Sequence, residues 1–292
     1  MSDAEIKQQV QDFYDRVGWQ QVSAGTYQNA SYEDLRPVAR EYVHRCHLRV
    51  ARHLAPAGTL LLGAAPGRLQ YPEGVEYSRD YRRRVCLDIS SVALQEARQR
   101  IGEHGLFVVG DIANLPFKAD AFDGMVSLHT IHHLPAGEHA RAYLELQRVL
   151  APGKTGVVVN GWDLPPLTQL QNFLIRLANT LRRIPKSPIP DKGGAGGEVS
   201  PLPYRGGAGG EVRGTFVRKH TPAWLKKEVG RHIPVEIWCW RSLSVRFMRT
   251  FIHQRLGGRF LLRLLFWLEE RLPHFFGRNG QYPLIVLRKR SS

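Results

Sequence analysis

"TLLLGAAPGRLQ", residues 59–70, runs from an apolar strand into a turn of small residues. Leu60, Leu61 and Leu62 are apolar without alternation, which predicts a strand covered on both faces. Gly63, Ala64, Ala65 and Gly67 follow, and small side chains there let a ligand approach the backbone closely. The spacing is not G-x-G-x-x-G, so a dinucleotide fingerprint is only weakly matched. Outward from this stretch, apolar runs recur at 84–89, 106–109, 123–128 and 155–160, with helical segments at 90–101 and 137–150 between them. Ser90 and Ser91 are good cap residues for the first of these helices. The alternation predicts an α/β fold, a mainly parallel sheet with helices on both faces.

On the N-terminal side, residues 5–18 and 34–54 read as helices. The second carries Leu35, Val38, Ala39, Tyr42, Val43, Cys46, Val50 and Leu54 near a 3.6-residue period. Phe13, Tyr14, Trp19 and Tyr27 could belong to a lid or equally to the core. On the C-terminal side, 167–183 forms an amphipathic basic helix. Residues 184–214 are dominated by proline and glycine and carry "GGAGGEV" twice, at 193–199 and 206–212. Two short copies do not make a solenoid; the segment reads as an insertion. A helix near 221–229, a strand near 234–246, a long helix near 249–272 and a last strand at 282–288 complete the pass.

Three cysteines far apart, Cys46, Cys86 and Cys239, give neither a disulfide framework nor metal-ligand spacing. The beginning "MSDAEIKQQV" is polar and reads as no signal peptide, and no run is apolar enough to span a bilayer. A cytoplasmic location is expected, with attachment to a membrane surface as the variant. Net charge is +15, and from Arg213 to Arg290 seventeen Lys and Arg face four Glu, a local excess of +13. That asymmetry points to an anionic partner or to a merely solvated basic face.

In an open parallel sheet, ligands sit beyond the carboxyl ends of the strands. Three tips here carry polar groups: Asp88 in "VCLDIS", Asp111 in "FVVGDIANLPF", and Ser127 to His129 in "FDGMVSLHTIHHLP". Asp88 can accept hydrogen bonds from a diol or cap the following helix; Asp111 can accept from an exocyclic amine or close the turn before Asn114. His129, His132 and His133 have spacing that a metal could use, but no cysteine or carboxylate completes the set, so no metal is expected. His133 reads as structural. His129 is the general-base candidate, on the expectation of a pKa near neutral.

The ordered set resembles the class I S-adenosylmethionine-dependent methyltransferases, in the small-molecule branch that includes quinone-methylating enzymes. "VCLDISSVALQEAR", "VVGDIANLPFKADAFDGMVSLHTIHHL" and "ELQRVLAPGK" carry the likeness, which spans about residues 55–160. It implies a Rossmann-like seven-stranded, mostly parallel sheet with a helical cap insertion, and S-adenosylmethionine as cofactor. Residues 1–54 would form N-terminal helices and a lid, 55–160 the cofactor-binding core, 161–230 the cap insertion, and 231–292 the rest of the sheet with a basic amphipathic helix. Gly63, Ala64, Ala65 and Gly67 would lie at the methionine portion of the cofactor. Asp88 would take the ribose, with Ile89 beside the adenine; Asp111 and Ile112 would read the adenine edge, and Leu128 and His129 would sit near the sulfonium. The sequence departs from the family at Leu61, where an acid is usual, at Ala65, where a second glycine is usual, and at Lys154 in a Pro-Gly-Gly turn.

The expected reaction is methyl transfer to a small acceptor, lipophilic or anionic, at oxygen or carbon. The alternatives are a catalytically silent methyltransferase-like scaffold and an RNA methyltransferase. Against the last, the fourth motif lacks Asn-Pro-Pro-aromatic, and no RNA-binding module is present. In 249–275, Leu261, Leu264, Leu265, Leu268 and Leu272 form a stripe suited to the sheet. Arg255, Arg259 and Arg263 line its flank, and Phe260, Leu262, Phe266 and Trp267 widen the apolar arc. Such an arc fits either a buried helix or an anionic membrane surface.

Overall fold

The computed structural model describes residues 1–18, 21–23, 26–27, 33–182 and 215–291. Its frame is a seven-stranded sheet built from β1 (Gly58–Ala64), β2 (Tyr81–Asp88), β3 (Gly105–Val109), β4 (Phe122–Leu128), β5 (Leu150–Val159), β6 (Val235–Arg241) and β7 (Tyr282–Arg288). The strand order is β3-β2-β1-β4-β5-β7-β6. The first five strands are parallel, and β7 runs antiparallel between β5 and β6. Leu61, Leu62 and Val157 to Val159 are fully buried, as continuous apolar runs covered on both faces should be. The order reverses between β1 and β4, so the crevice that binds ligands opens above those two tips. This is the Rossmann-like, mostly parallel arrangement the sequence led us to expect.

The helices are α1 (Asp3–Phe13), α2 (Arg40–Leu48), α3 (Pro72–Glu76), α4 (Ser91–Ile101), α5 (His139–Arg148), α6 (Pro166–Arg182), α7 (Pro222–Trp224), α8 (Val245–Phe251), α9 (Gly258–Arg271) and α10 (Pro273–Asn279). α1 begins with a complete capping box between Ser2 and Glu5. Ser90 caps α4 by accepting from the Ala93 N–H, and Ala93, Leu94 and Ala97 form that helix's buried face. The duplicated "GGAGGEV" segment lies outside the described residues. No helix among the described residues is long and apolar enough to cross a membrane.

Four expectations change: the helix read at 34–54 is α2 (Arg40–Leu48) followed by a single short turn at Ala51–His53, and three more changes lie toward the C-terminus. The long helix at 249–272 is two helices: Gly257 adopts a left-handed φ of 70°, and a Cβ on Gly258 would lie 2.7 Å from the His253 carbonyl oxygen. The strand read as 234–246 stops at Arg241, because Ser244 turns the chain and caps α8. The stripe of α9 is also rotated. Gly258, Leu262, Phe266 and Glu269 are its buried positions, whereas Leu261, Leu264 and Leu272 are exposed. The rotation follows from a polar anchor: Glu269 accepts from the Tyr42 hydroxyl, the Arg49 guanidinium and the Ser242 N–H, and this pulls its own face inward.

Candidate active site

The loop after β1 holds Ala65 at φ 54° and Gly67 at φ 57°. Left-handed backbone costs a residue with a Cβ about 1 kcal/mol, so Ala65 is strained where glycine would not be. The Ala65 N–H donates to Leu87 O at 2.7 Å, which fixes the loop over the tip of β2. At that tip Asp88 is 7% exposed. Its Oδ2 accepts from the Gly67 N–H at 3.1 Å and its Oδ1 from the Ser90 N–H at 3.0 Å. Burial nevertheless pushes the carboxyl up to about 6. One carboxylate thus holds both loops and retains lone pairs toward the space beside it.

That space is a cavity of about 200 Å³, lined at one end by Ala65, Gly67, Asp88 and Ile89 and along its floor by Val126, Leu128, His129 and Thr130. Val10 and Tyr14 close it from the N-terminal helix, and Glu33, His47, Tyr71 and Arg84 form the remaining wall. The structure therefore brings Ala65, Gly67, Asp88, Ile89, Leu128 and His129 together around one cleft. Gly63 and Ala64 are buried strand residues just beneath its loop.

Asp111 and Ile112 stand elsewhere. The Asp111 carboxylate accepts from Lys7 Nζ of α1 at 2.6 Å, from the Ala113 N–H at 2.8 Å and from Asn114 Nδ2 at 2.8 Å. After the opposing cost of burial, the Lys7 hydrogen bond leads the contacts that hold its pKa below the usual range. Lys7 also pairs with Glu138 at 2.7 Å. Ile112 is packed in the core rather than against the cleft.

The histidines are sorted by their partners. His133 Nδ1 faces the Phe216 carbonyl at 2.9 Å and must donate, so its Nε2 accepts from the Tyr14 hydroxyl at 2.8 Å. His129 sits at φ 58°, and its ring lies edge-on to Trp240 and Tyr282 at centroid distances of 5.0 and 5.3 Å. Burial first, and the Arg241 charge second, lower its pKa to about 3. The near-neutral pKa expected of an isolated imidazole is not the one this fold provides. Trp240, Tyr282 and Arg241 come from β6 and β7, more than a hundred residues away in sequence. Among the described residues no group of His, Cys, Asp or Glu is arranged to hold a metal.

Sequence reasoning missed Glu33, His47, Tyr71 and Arg84. His47 is buried with neither ring nitrogen hydrogen-bonded, and its ring lies 4.7 Å from that of Tyr71 and 5.1 Å from that of Trp240. Its position, four residues after Val43 on the buried face of α2, was readable from the period. Glu33 forms a buried ion pair with Arg241, which no local pattern announces.

The fold is that of class I S-adenosylmethionine-dependent methyltransferases. Residues 64–158 match the family model described as a methyltransferase domain. Among solved structures, the chain is similar to a DhpI–SAM–HEP complex at 13% identity and TM-score 0.58, covering 99% of this chain and 100% of that one. It is similar to the [4+2]-cyclase SpnF at 18% identity and TM-score 0.53, covering 98% and 97%. The PH0226 protein from Pyrococcus horikoshii OT3 matches at 16% identity and TM-score 0.51, covering 89% and 96%. Residues 64–158 are thus the part of the chain that matches a methyltransferase domain, and the solved structures share its fold.

Proposed function

We propose that the chain is an S-adenosylmethionine-dependent methyltransferase acting on a small acceptor with an apolar body and a hydroxyl group. The observation that carries this is the convergence of the 65–67 loop, Asp88 and the β4 tip on one cavity at the switch in strand order. The residues present fit such a cofactor. Gly67 admits close backbone approach, the Asp88 carboxylate is disfavoured as an anion until hydroxyl donors reach it, and Ile89 offers an apolar surface beside it. Gly63 and Ala64 support the loop that would hold the methionine portion. Asp111 reaches a ligand only after Lys7 leaves it, and Ile112 supports that turn. When bound, the cofactor supplies a methyl group already activated on sulfur.

The chain's own contribution is alignment in a dry pocket and control of one proton. Leu69, Tyr71, Tyr77, Val126 and Leu128 give the acceptor an apolar surround, with Glu33 and His47 as its polar end. His47 has an unengaged lone pair for a hydroxyl proton. His129, neutral at all physiological pH values, serves as an orienting wall, and as a base it would be weak. Oxygen methylation follows from this arrangement more directly than carbon methylation.

A second feature supports a membrane-facing or lipophilic setting. On α9, Phe260 is 70% and Trp267 51% exposed, on a helix that also carries Arg259 and Arg263. We read this face, with the C-terminal excess of positive charge, as suited to an anionic membrane surface. Co-sedimentation with anionic vesicles, lost in Phe260→Ser/Trp267→Ser, would support it; no difference from neutral vesicles would refute it.

The function is tested by incubating the protein with methyl-labelled S-adenosylmethionine and a panel of small lipophilic phenols and hydroxy acids. Label transfer that disappears in Asp88→Ala supports the reading. Cofactor binding with no transfer to any acceptor would favour the silent scaffold instead.

A further inference from the structure

Four arginines are buried among the described residues: Arg49, Arg68, Arg84 and Arg241. Three have carboxylates. Arg49 pairs with Glu269 at 2.9 Å and Glu270 at 2.8 Å, Arg68 with Glu96, and Arg241 with Glu33. Arg84, 2% exposed, has none. Its Nη1 donates to the Gly74 carbonyl, its Nε has no partner, and its other polar neighbours are Cys86 and Tyr77, which burial keeps neutral. A guanidinium removed from water without a counter-charge is strongly disfavoured, and the fold has met this need at every other buried arginine.

Arg84 lines the cleft. A Cβ on Gly63 would lie 3.0 Å from both its Nε and its Nη2, so the guanidinium lies under the loop that follows β1. Two features leave Arg84 without a helix N-terminus or a paired acid at that end of the cleft. The helix that in such sheets offers its N-terminus to an anion is delayed here: α3 starts only at Pro72 and runs five residues. The acid of the family's first motif is Leu61, which stands opposite Arg84 in the β1–β2 register.

We propose that Arg84 binds the carboxylate of the cofactor's amino-acid tail, so that this cleft selects the tail by its anionic end instead of its ammonium end. The proposal rests on the cofactor reading above and deepens it. The carboxylate completes the partnership that Arg84 lacks, and the planar fork of the guanidinium gives it orientation as well as charge. Arg84 is here a cofactor-binding and specificity residue, and takes no part in moving the methyl group.

Calorimetric titration of the full chain tests this with four ligands: S-adenosylhomocysteine, 5′-methylthioadenosine, which lacks the tail, S-adenosylmethionine, and its decarboxylated form, which keeps the ammonium. The wild type should bind the carboxylate-bearing member of each pair at least tenfold more tightly. Arg84→Met should weaken S-adenosylhomocysteine tenfold or more and leave 5′-methylthioadenosine within twofold, with Arg84→Lys between. Equal weakening of both ligands would mean that Arg84 only holds the loop through Gly74, and no weakening would mean no contact; either overturns the proposal. Wild-type binding of the decarboxylated cofactor as tightly as the intact one overturns it without any variant. If the wild type binds none of the four, the cofactor reading falls as well; tail-independent binding overturns the role of Arg84 alone.

Discussion

The tips of β2 and β3 carry the same residue in opposite circumstances. Asp88 is buried, held by two backbone N–H groups, and its pKa is raised to about 6. Asp111 is half-buried, held by Lys7 and Asn114, and its pKa is lowered. The fold supplies a cation at the second tip and withholds one from the first. A carboxylate left short of partners in a cleft is a place for ligand hydroxyls, whereas one satisfied by lysine is a place where α1 is fastened to the sheet. Neighbouring strand tips are therefore not interchangeable, and the difference lies in α1, which arrives from the start of the chain.

The largest expected break in this comparison is Asp88→Ala. It should weaken S-adenosylhomocysteine binding by 100-fold or more, about 3 kcal/mol, because hydrogen bonds to a charged group are lost with the loop they fix. Asp111→Ala should weaken it threefold at most, and calorimetry reads both. pH sharpens the contrast next. Asp88 must be ionised to accept from a diol, so affinity should fall by up to tenfold per pH unit below about pH 6 and be level above it. Asp88→Asn should flatten that profile in titrations from pH 5 to 8. The sign for the ligand-free protein is the reverse: a raised carboxyl pKa makes ionisation cost stability as pH climbs from the unfolded value toward 6.

At the other tip the depressed pKa of Asp111 contributes stability above the unfolded value, which is lost as pH falls through the folded one. Lys7→Met should remove about 1 kcal/mol at pH 7, since both side chains of the pair are partly exposed. The melting midpoint should drop by about 2–4 °C, and cofactor affinity should stay within twofold. The smallest effect belongs to the loop that follows β1, over the tip of β2. Ala65→Gly should raise stability by a few tenths to about 1 kcal/mol, as relief of the left-handed strain is offset by a more flexible unfolded chain. Thermal denaturation checks both.

The core sheet was legible because its information is local. Continuous apolar runs and their punctuation placed the strand at 282–288 and put the others within a few residues, and Ser90 marked the start of α4. The C-terminal helices were less legible. Their apolar residues surround α9, and the polar network around Glu269, drawn from α2 and the end of β6, decides which side turns inward. In the site, Asp88, Gly67 and His129 could be found from strand ends. Arg84 could not, because it closes the run Arg82–Arg83–Arg84: the period of β2 puts 84 on the face of 88 and Arg83 on the other, but Arg82 shares that face and is exposed, so nothing local marks Arg84 as the buried one. The low pKa of His129 and the engagement of Asp111 arise from residues far away in sequence, and local reading is blind to them.

The central claim is that the cleft beside Asp88 holds S-adenosylmethionine. Its most direct test is calorimetric titration of the purified wild-type chain with S-adenosylhomocysteine at pH 7.5. One site per chain with micromolar affinity is the expected result. An absence of heat and of any shift in melting temperature at millimolar ligand would contradict the account.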